Sequence, residues 1–221
     1  MKTIPCSSNT LWLASRSPRR RRLLSWLGLD FQATPSDLDE TPLPGESPRR
    51  LAVRLARAKA HAADTDGRGW ILAADTVVAL HDESLGKPRD AVAARAMLRR
   101  LRGIPHAVHT GVTLLHAEED VTFTRRVTTQ IWMRPYSDAE IETYVAEGDP
   151  FDKAGGYAIQ HPHFDPVARL DRCYANVVGL PLCAVLALLR QAGWEVEADP
   201  RALCREHFAY PCPAVDEGVA L

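Results

Sequence analysis

Leu11-Trp12-Leu13-Ala14-Ser15-Arg16-Ser17-Pro18-Arg19-Arg20 carries an apolar run into a serine-bearing basic turn, and then into a leucine-bearing helical pattern. Ser17 suits an N-cap and Pro18 the first helical position, so the apolar stretch runs into a helix start. Free backbone N–H groups at a helix start attract phosphate, and Arg19 and Arg20 add charge-assisted donors beside Ser15. A capped helix with a solvated basic first turn accounts for the same residues. The rest of the chain has to separate the two readings.

Outward from this junction, helix and strand signals alternate. The first helix closes at Gly28. Ser47-Pro48 opens a second, with Leu51, Leu55 and Ala58 on one face. A third starts near Asp90 and turns Ala94, Leu98 and Leu101 inward before Gly103. Ser137-Asp138-Ala139-Glu140 fits a capping box for a fourth that ends at Gly148, and a fifth runs from Pro181 to Gln191. Between them, Trp70 to Leu80, Ala107 to Leu115 and Val121 to Met133 read as strands, the last two paired around the His116 to Asp120 turn. The pattern is α/β with some antiparallel pairing. The segment after Gly193, rich in proline, cysteine and acidic residues, reads as an appendage.

With 221 residues, 46% hydrophobic and 25% charged, the chain is long enough for a substantial core. A formal net charge of −1 argues against bulk attraction to nucleic acid or anionic membrane, so basic chemistry must be local. Cys6, Cys173, Cys183, Cys204 and Cys212 form no CxxC pair and read as reduced thiols. Pro5 and the polar residues 7 to 10 leave no apolar run for a signal peptide, which points to the cytoplasm. The longest apolar run, Val177 to Leu189, falls short of the roughly 20 residues a membrane helix needs and reads as a buried helix.

Candidate chemistry gathers in the loops. Asp75 and Thr76 interrupt an otherwise apolar strand, where a carboxylate must be paired, hydrogen-bonded or held beside solvent or metal. A site position explains it, and so does an aspartate that ties down a neighbouring loop. Asp37, Asp39 and Glu40 precede Thr41-Pro42. Acidic loop residues are usually solvated, but a divalent ion at a polyphosphate binds through one or two carboxylates plus phosphate oxygens, and Glu40 is the residue expected to supply one. Lys59 and the turn residue Lys87 stand out in a chain whose usual cation is arginine. They read as point charges for phosphate or as surface lysines. The glycine pair of Asp152-Lys153-Ala154-Gly155-Gly156-Tyr157 permits close backbone approach to a ligand or a simple turn, and the Gln160 amide suits reading a base edge. His161 and His163 have the spacing of metal ligands, but no third ligand lies nearby and loop packing is favoured.

These segments together resemble the Maf family: Leu13 to Arg20, Asp39-Glu40-Thr41-Pro42, Ala58-Lys59-Ala60, Ala74-Asp75-Thr76-Val77-Val78, Gly86-Lys87-Pro88, Thr110-Gly111-Val112, Asp152-Lys153-Ala154-Gly155 and Asn176 to Pro181. They fall in order over residues 11 to 192. The resemblance implies an α/β fold like that of the inosine-triphosphate pyrophosphatases, a mixed twisted sheet flanked by helices with two lobes around a cleft, commonly dimeric. It implies a cytoplasmic enzyme that cuts nucleoside triphosphates between the α- and β-phosphates to give monophosphate and pyrophosphate.

On this resemblance Asp75 is the proton acceptor, and Asp75 and Glu40 hold Mg²⁺ or Mn²⁺. Ser15, Arg19, Arg20, Lys59 and Lys87 hold the triphosphate. Arg19, Thr76 and Gln160 match members that prefer dTTP and UTP, whereas members acting on 7-methyl-GTP carry Trp, Gln and Glu there. A homodimer is expected, and neither nucleic acid nor membrane as a partner. The family's association with arrest of septum formation implies a rival role through partner binding, and a paralogue that binds nucleotide without cutting it is a third reading. Ala158 replaces the usual glycine, and residues 161 to 166 replace a glycine-rich stretch. Residues 1–10 read as an N-terminal extension, 11–193 as the nucleotide pyrophosphatase domain and 194–221 as a C-terminal extension.

Overall fold

The structure, a computed structural model, describes residues 10–208, 210 and 212; Cys6 lies outside them, as does most of the N-terminal extension and the last stretch of the C-terminal one. The helix start at Ser17-Pro18 is the one expected, and the apolar stretch before it is a strand. Strand β1 (Leu11–Leu13) leads into helix α1 (Pro18–Ser25), where the Ser17 side chain accepts the Arg20 N–H. Then follow β2 (Gln32–Ala33), α2 (Pro48–His61), β3 (Trp70–Leu80), β4 (Glu83–Leu85), α3 (Ala91–Leu101), β5 (Pro105–His116) and β6 (Val121–Met133). Helix α4 (Asp138–Ala146) carries the full Ser137/Glu140 capping box. Two 3₁₀ turns (Asp149–Asp152 and Ala154–Gly156), β7 (Val167–Leu170), α5 (Tyr174–Val178), α6 (Leu182–Gln191) and α7 (Pro200–His207) complete the order.

The seven strands make one mixed sheet in the order β2-β1-β3-β5-β6-β7, with β4 also on β3. β1 runs parallel to β2 and β3; the other pairs are antiparallel. β3 is buried along nearly its whole length, as expected of a strand covered on both faces. Ile71, Ala73 and Val77 face α2, while Leu72 and Ala74 join the core beneath α1, α5 and α6. A second core, built on Val78, Val108 and Ile131, packs under α3 and α4.

Three features differ from the sequence reading. The apolar run from Val177 is broken, because Gly179 takes a left-handed φ of 118° and Pro181 caps a new helix. On α2 the buried face is Leu51, Ala52, Leu55, Ala56, Lys59 and Ala60, so the inward position falls on Lys59 while Ala58 is half-buried. The segment after Gly193 carries α7, and Val196, Cys204 and Phe208 bury into the first core. The Tyr210 hydroxyl ties this segment to the Leu170 carbonyl at 2.7 Å. Cys173, Cys183, Cys204 and Cys212 are free thiols, and burial pushes Cys173 and Cys204 up to about 12.

Candidate active site

The ladder lengths create an opening. On one edge of β3, β1 pairs with residues 70–72 and β4 with 78–80, which leaves 73–77 without a strand on that side. Asp75 and Thr76 lie in this gap, on opposite faces of the strand by the two-residue period. A cavity of about 820 Å³ opens there. Its walls are the Ala14–Arg20 junction, the loop at Ser36–Glu40, the Gly86-Lys87 turn, the Asp152–Gln160 segment and Val177–Gly179. Ser15, Arg19, Arg20, Glu40, Lys59, Asp75, Thr76, Lys87 and Gln160 all line it. Six cationic side chains stand in the lining against four carboxylates, and three of the chain's four lysines are among them. That excess suits a polyanion.

The floor is a charge array. Gly111 pairs across from Asp75, and a Cβ there would lie 2.8 Å from the Ala52 carbonyl carbon, so only glycine lets α2 come this close. The approach carries Lys59, one α2 turn beyond Leu55, over the strand. Lys59 Nζ meets Asp75 Oδ1 at 2.5 Å and Glu40 Oε1 at 2.6 Å. Lys59 and Asp75 are both buried, whereas the Glu40 side chain is half exposed. Partial burial works to raise the Glu40 pKa, but the Lys59 hydrogen bond and the charges of Lys59, Lys87 and Arg20 outweigh it and hold the carboxyl below its usual range.

Arg20 is largely committed to the protein. Its Nε donates to the Gly179 carbonyl at 2.8 Å, Nη2 to Thr76 Oγ1 at 3.1 Å and Nη1 to Ser15 Oγ at 3.5 Å. Burial lowers its pKa, with Asp75 and Glu40 acting in the opposite sense. It therefore both adds charge and locks three segments together. Arg19 reaches across the opening to Asp152 at 3.2 Å, and Lys153 bonds Asp152 and Asp149 in turn. Sequence reasoning did not single out Lys153 as a site residue; the scarcity of lysine was the signal available. Lys87 and Gln160 project exposed into the opening. His161 accepts the Phe164 N–H at 3.0 Å and meets Glu147 at 2.8 Å, which commits it to bracing its loop.

Two hard carboxylates on one ammonium fit a small divalent cation that keeps most of its ligands as water and phosphate. Among the described residues no group of three or more His, Cys, Asp or Glu side chains forms a metal cage. Glu40 and Asp75 are the two carboxylates of this array that could hold such an ion.

A family model described as Maf-like protein matches residues 10–192. The chain belongs to the Maf family. Relatives in this family include a protein from Geobacter sulfurreducens named dTTP/UTP pyrophosphatase, 48% identical over 183 residues, covering 82% of this chain and 95% of its own. One of the same name from Salinibacter ruber is 51% identical over 183 residues, covering 81% of this chain and 89% of its own. A HAM1 protein from Coxiella burnetii is similar with a TM-score of 0.42 and 17% identity, over 58% of this chain and 75% of that one. The Maf match ends at residue 192, so α7 packs onto the Maf fold from outside the matched residues.

Proposed function

We propose that this Maf protein hydrolyses the α–β phosphoanhydride of dTTP or UTP to a nucleoside monophosphate and pyrophosphate. The observation that carries the reading is the Glu40–Lys59–Asp75 array at the floor of a cation-rich cavity. The name shared by relatives at 48% and 51% identity supports the substrate class.

Asp75 Oδ1 is held by Lys59, and Oδ2 takes no hydrogen bond from the protein among the described residues. That oxygen orients a water and accepts its proton, work worth typically 10²–10⁴-fold. Lys59 fixes the carboxylate so that it does not have to reorganise during the reaction. Lys87 and the α1 N-terminus, with Ser15 and Arg19, hold the phosphates in line with the water. A divalent ion at Glu40 and Asp75 would offset charge on the phosphate oxygens. Arg19, Thr76 and Gln160 are assigned to the nucleoside end.

Pyrophosphate release by the purified protein, with Mg²⁺ or Mn²⁺, is the test against dTTP, UTP, CTP, 7-methyl-GTP and dITP. Preferred turnover of dTTP and UTP with pyrophosphate as product is expected. Release of orthophosphate instead, or no turnover of any triphosphate, would overturn the proposal.

A further inference from the structure

The loop that carries Glu40 runs from β2 to α2 with little apolar material to hold it. Leu38 packs against the Leu51, Leu55 and Val77 cluster, but every residue from Thr41 to Gly45 is exposed. Hydrogen bonds fix the rest. Asp39 Oδ1 accepts the Thr41 N–H at 2.9 Å and the Thr41 hydroxyl at 2.6 Å, which closes a turn around Glu40. From α2, Arg54 grips Glu46 with two parallel bonds, Nε to Oε1 at 2.7 Å and Nη2 to Oε2 at 2.8 Å. The same Nη2 donates to the Thr41 carbonyl at 3.0 Å, one residue from Glu40. Glu46 Oε2 in turn accepts the Leu43 N–H at 3.1 Å, so the fork spans the whole exposed stretch. The Glu46 side chain is only 9% exposed, which shields the carboxylate side of the fork from water.

One helix thus holds Glu40 twice. Lys59 meets its carboxylate at 2.6 Å, and Arg54 meets the backbone beside it. The second grip needs a guanidinium, whose N–H groups lie in a fixed plane and serve a carboxylate and a carbonyl at once; an ammonium is a point charge on a flexible stem. Neither Arg54 nor Glu46 lines the cavity, so their influence on it passes through the loop.

We propose that the Arg54–Glu46 fork is a positioning device that fixes Glu40 beside Asp75 for a divalent cation. This rests on the proposed pyrophosphatase activity and on Glu40 and Asp75 as the carboxylates that hold its metal. Groups that orient a metal ligand without touching the ion are worth about 10- to 100-fold in affinity or activity. The fork acts on the ligand's position and takes no part in the proton transfer at Asp75, so its loss falls on metal affinity.

The test is Mn²⁺ binding by the nucleotide-free protein, followed by electron paramagnetic resonance, beside the Mn²⁺ dependence of pyrophosphate release from dTTP. Arg54→Lys keeps the charge and loses the fork, so half-saturating Mn²⁺ should rise about tenfold in both measurements, with the rate at saturating Mn²⁺ within about twofold of wild type. Glu46→Gln should behave alike, and it carries the test if Arg54→Lys does not fold. The double variant Arg54→Lys/Glu40→Gln should bind Mn²⁺ no more weakly than Glu40→Gln, because a fork that acts through Glu40 then has nothing left to position. Unchanged half-saturation in the fork variants, or a double variant weaker than Glu40→Gln by the full factor of the Arg54 change, overturns the inference. A wild type that cleaves dTTP and binds no Mn²⁺ overturns it too, leaving the activity standing. A wild type that binds Mn²⁺ and cleaves no triphosphate refutes the activity, and the binding measurements then decide the role of the fork by themselves.

Discussion

Replacing Lys59 by methionine should expose what the charge array costs. The Lys59 and Asp75 side chains are only 11% and 8% exposed, so methionine leaves a carboxylate buried without its partner. Removing one member of a buried pair costs about 3–5 kcal/mol. The cost is bounded, because a stranded carboxylate takes up a proton instead of staying charged. For an aspartate of ordinary affinity that protonation costs about 4 kcal/mol at pH 7 and about 1.5 kcal/mol at pH 5. Glu40, half exposed, adds little, since exposed pairs contribute at most about 1 kcal/mol.

Lys59→Met should therefore lose about 3–4 kcal/mol at pH 7 and no more than about 1.5 kcal/mol at pH 5. The sign follows from linkage: the penalty falls on the charged form, so it grows as pH rises above the unfolded carboxylate value and fades as pH falls. The double variant Lys59→Met/Asp75→Asn, which removes the stranded charge, should recover most of the stability and none of the turnover. Urea denaturation at the two pH values, beside pyrophosphate release, measures all of this. A Lys59→Met protein within 1 kcal/mol of wild type at pH 7, or a loss equal at both pH values, would refute the reasoning.

Two further outcomes follow from packing and burial. Gly111→Ala puts a Cβ 2.9 Å from the Val53 Cα and must push α2 outward, costing about 1–3 kcal/mol; turnover should fall with it as Lys59 lifts off Asp75, and unchanged melting and turnover would show that the close approach does not matter. Burial holds His106 and His109 at about 4, partly opposed at His106 by an Ile104 backbone hydrogen bond and reinforced at His109 by Arg49 and Arg126. Both fold neutral, so the unfolded chain binds protons below about pH 6.5 that the native state refuses, and stability should drop by about 2 kcal/mol per histidine by pH 5. A urea midpoint that stays level from pH 7 to pH 5 would contradict this.

Much of this arrangement is legible in the chain because its signals are local. Ser17-Pro18 and Ser137 to Glu140 are caps whose chemistry acts within one turn, and β3 and β6 have the bounds that their apolar and β-branched runs predict. The gap that exposes Asp75 is not local. It depends on where β1 and β4, each three residues long, stop along β3, and strands so short have no periodic pattern to read. Lys59 is ambiguous in sequence for a related reason: a lysine at an inward helix position looks like a surface lysine until the carboxylates that meet it are placed. The sequence neighbours of Arg20 suggest a phosphate ligand, while its bonds to Gly179 and Thr76 come from segments far along the chain. The tail after Gly193 differs from the rest in composition, yet Val196, Cys204 and Phe208 within it are buried.

The most direct test of Asp75 as the proton acceptor in the cavity is single-turnover hydrolysis of dTTP by Asp75→Asn, with binding of a non-hydrolysable α,β-methylene analogue measured alongside. Turnover should fall by about 10²-fold or more while analogue binding and melting temperature hold. Turnover near the wild-type rate in a folded, nucleotide-binding Asp75→Asn protein would contradict the account.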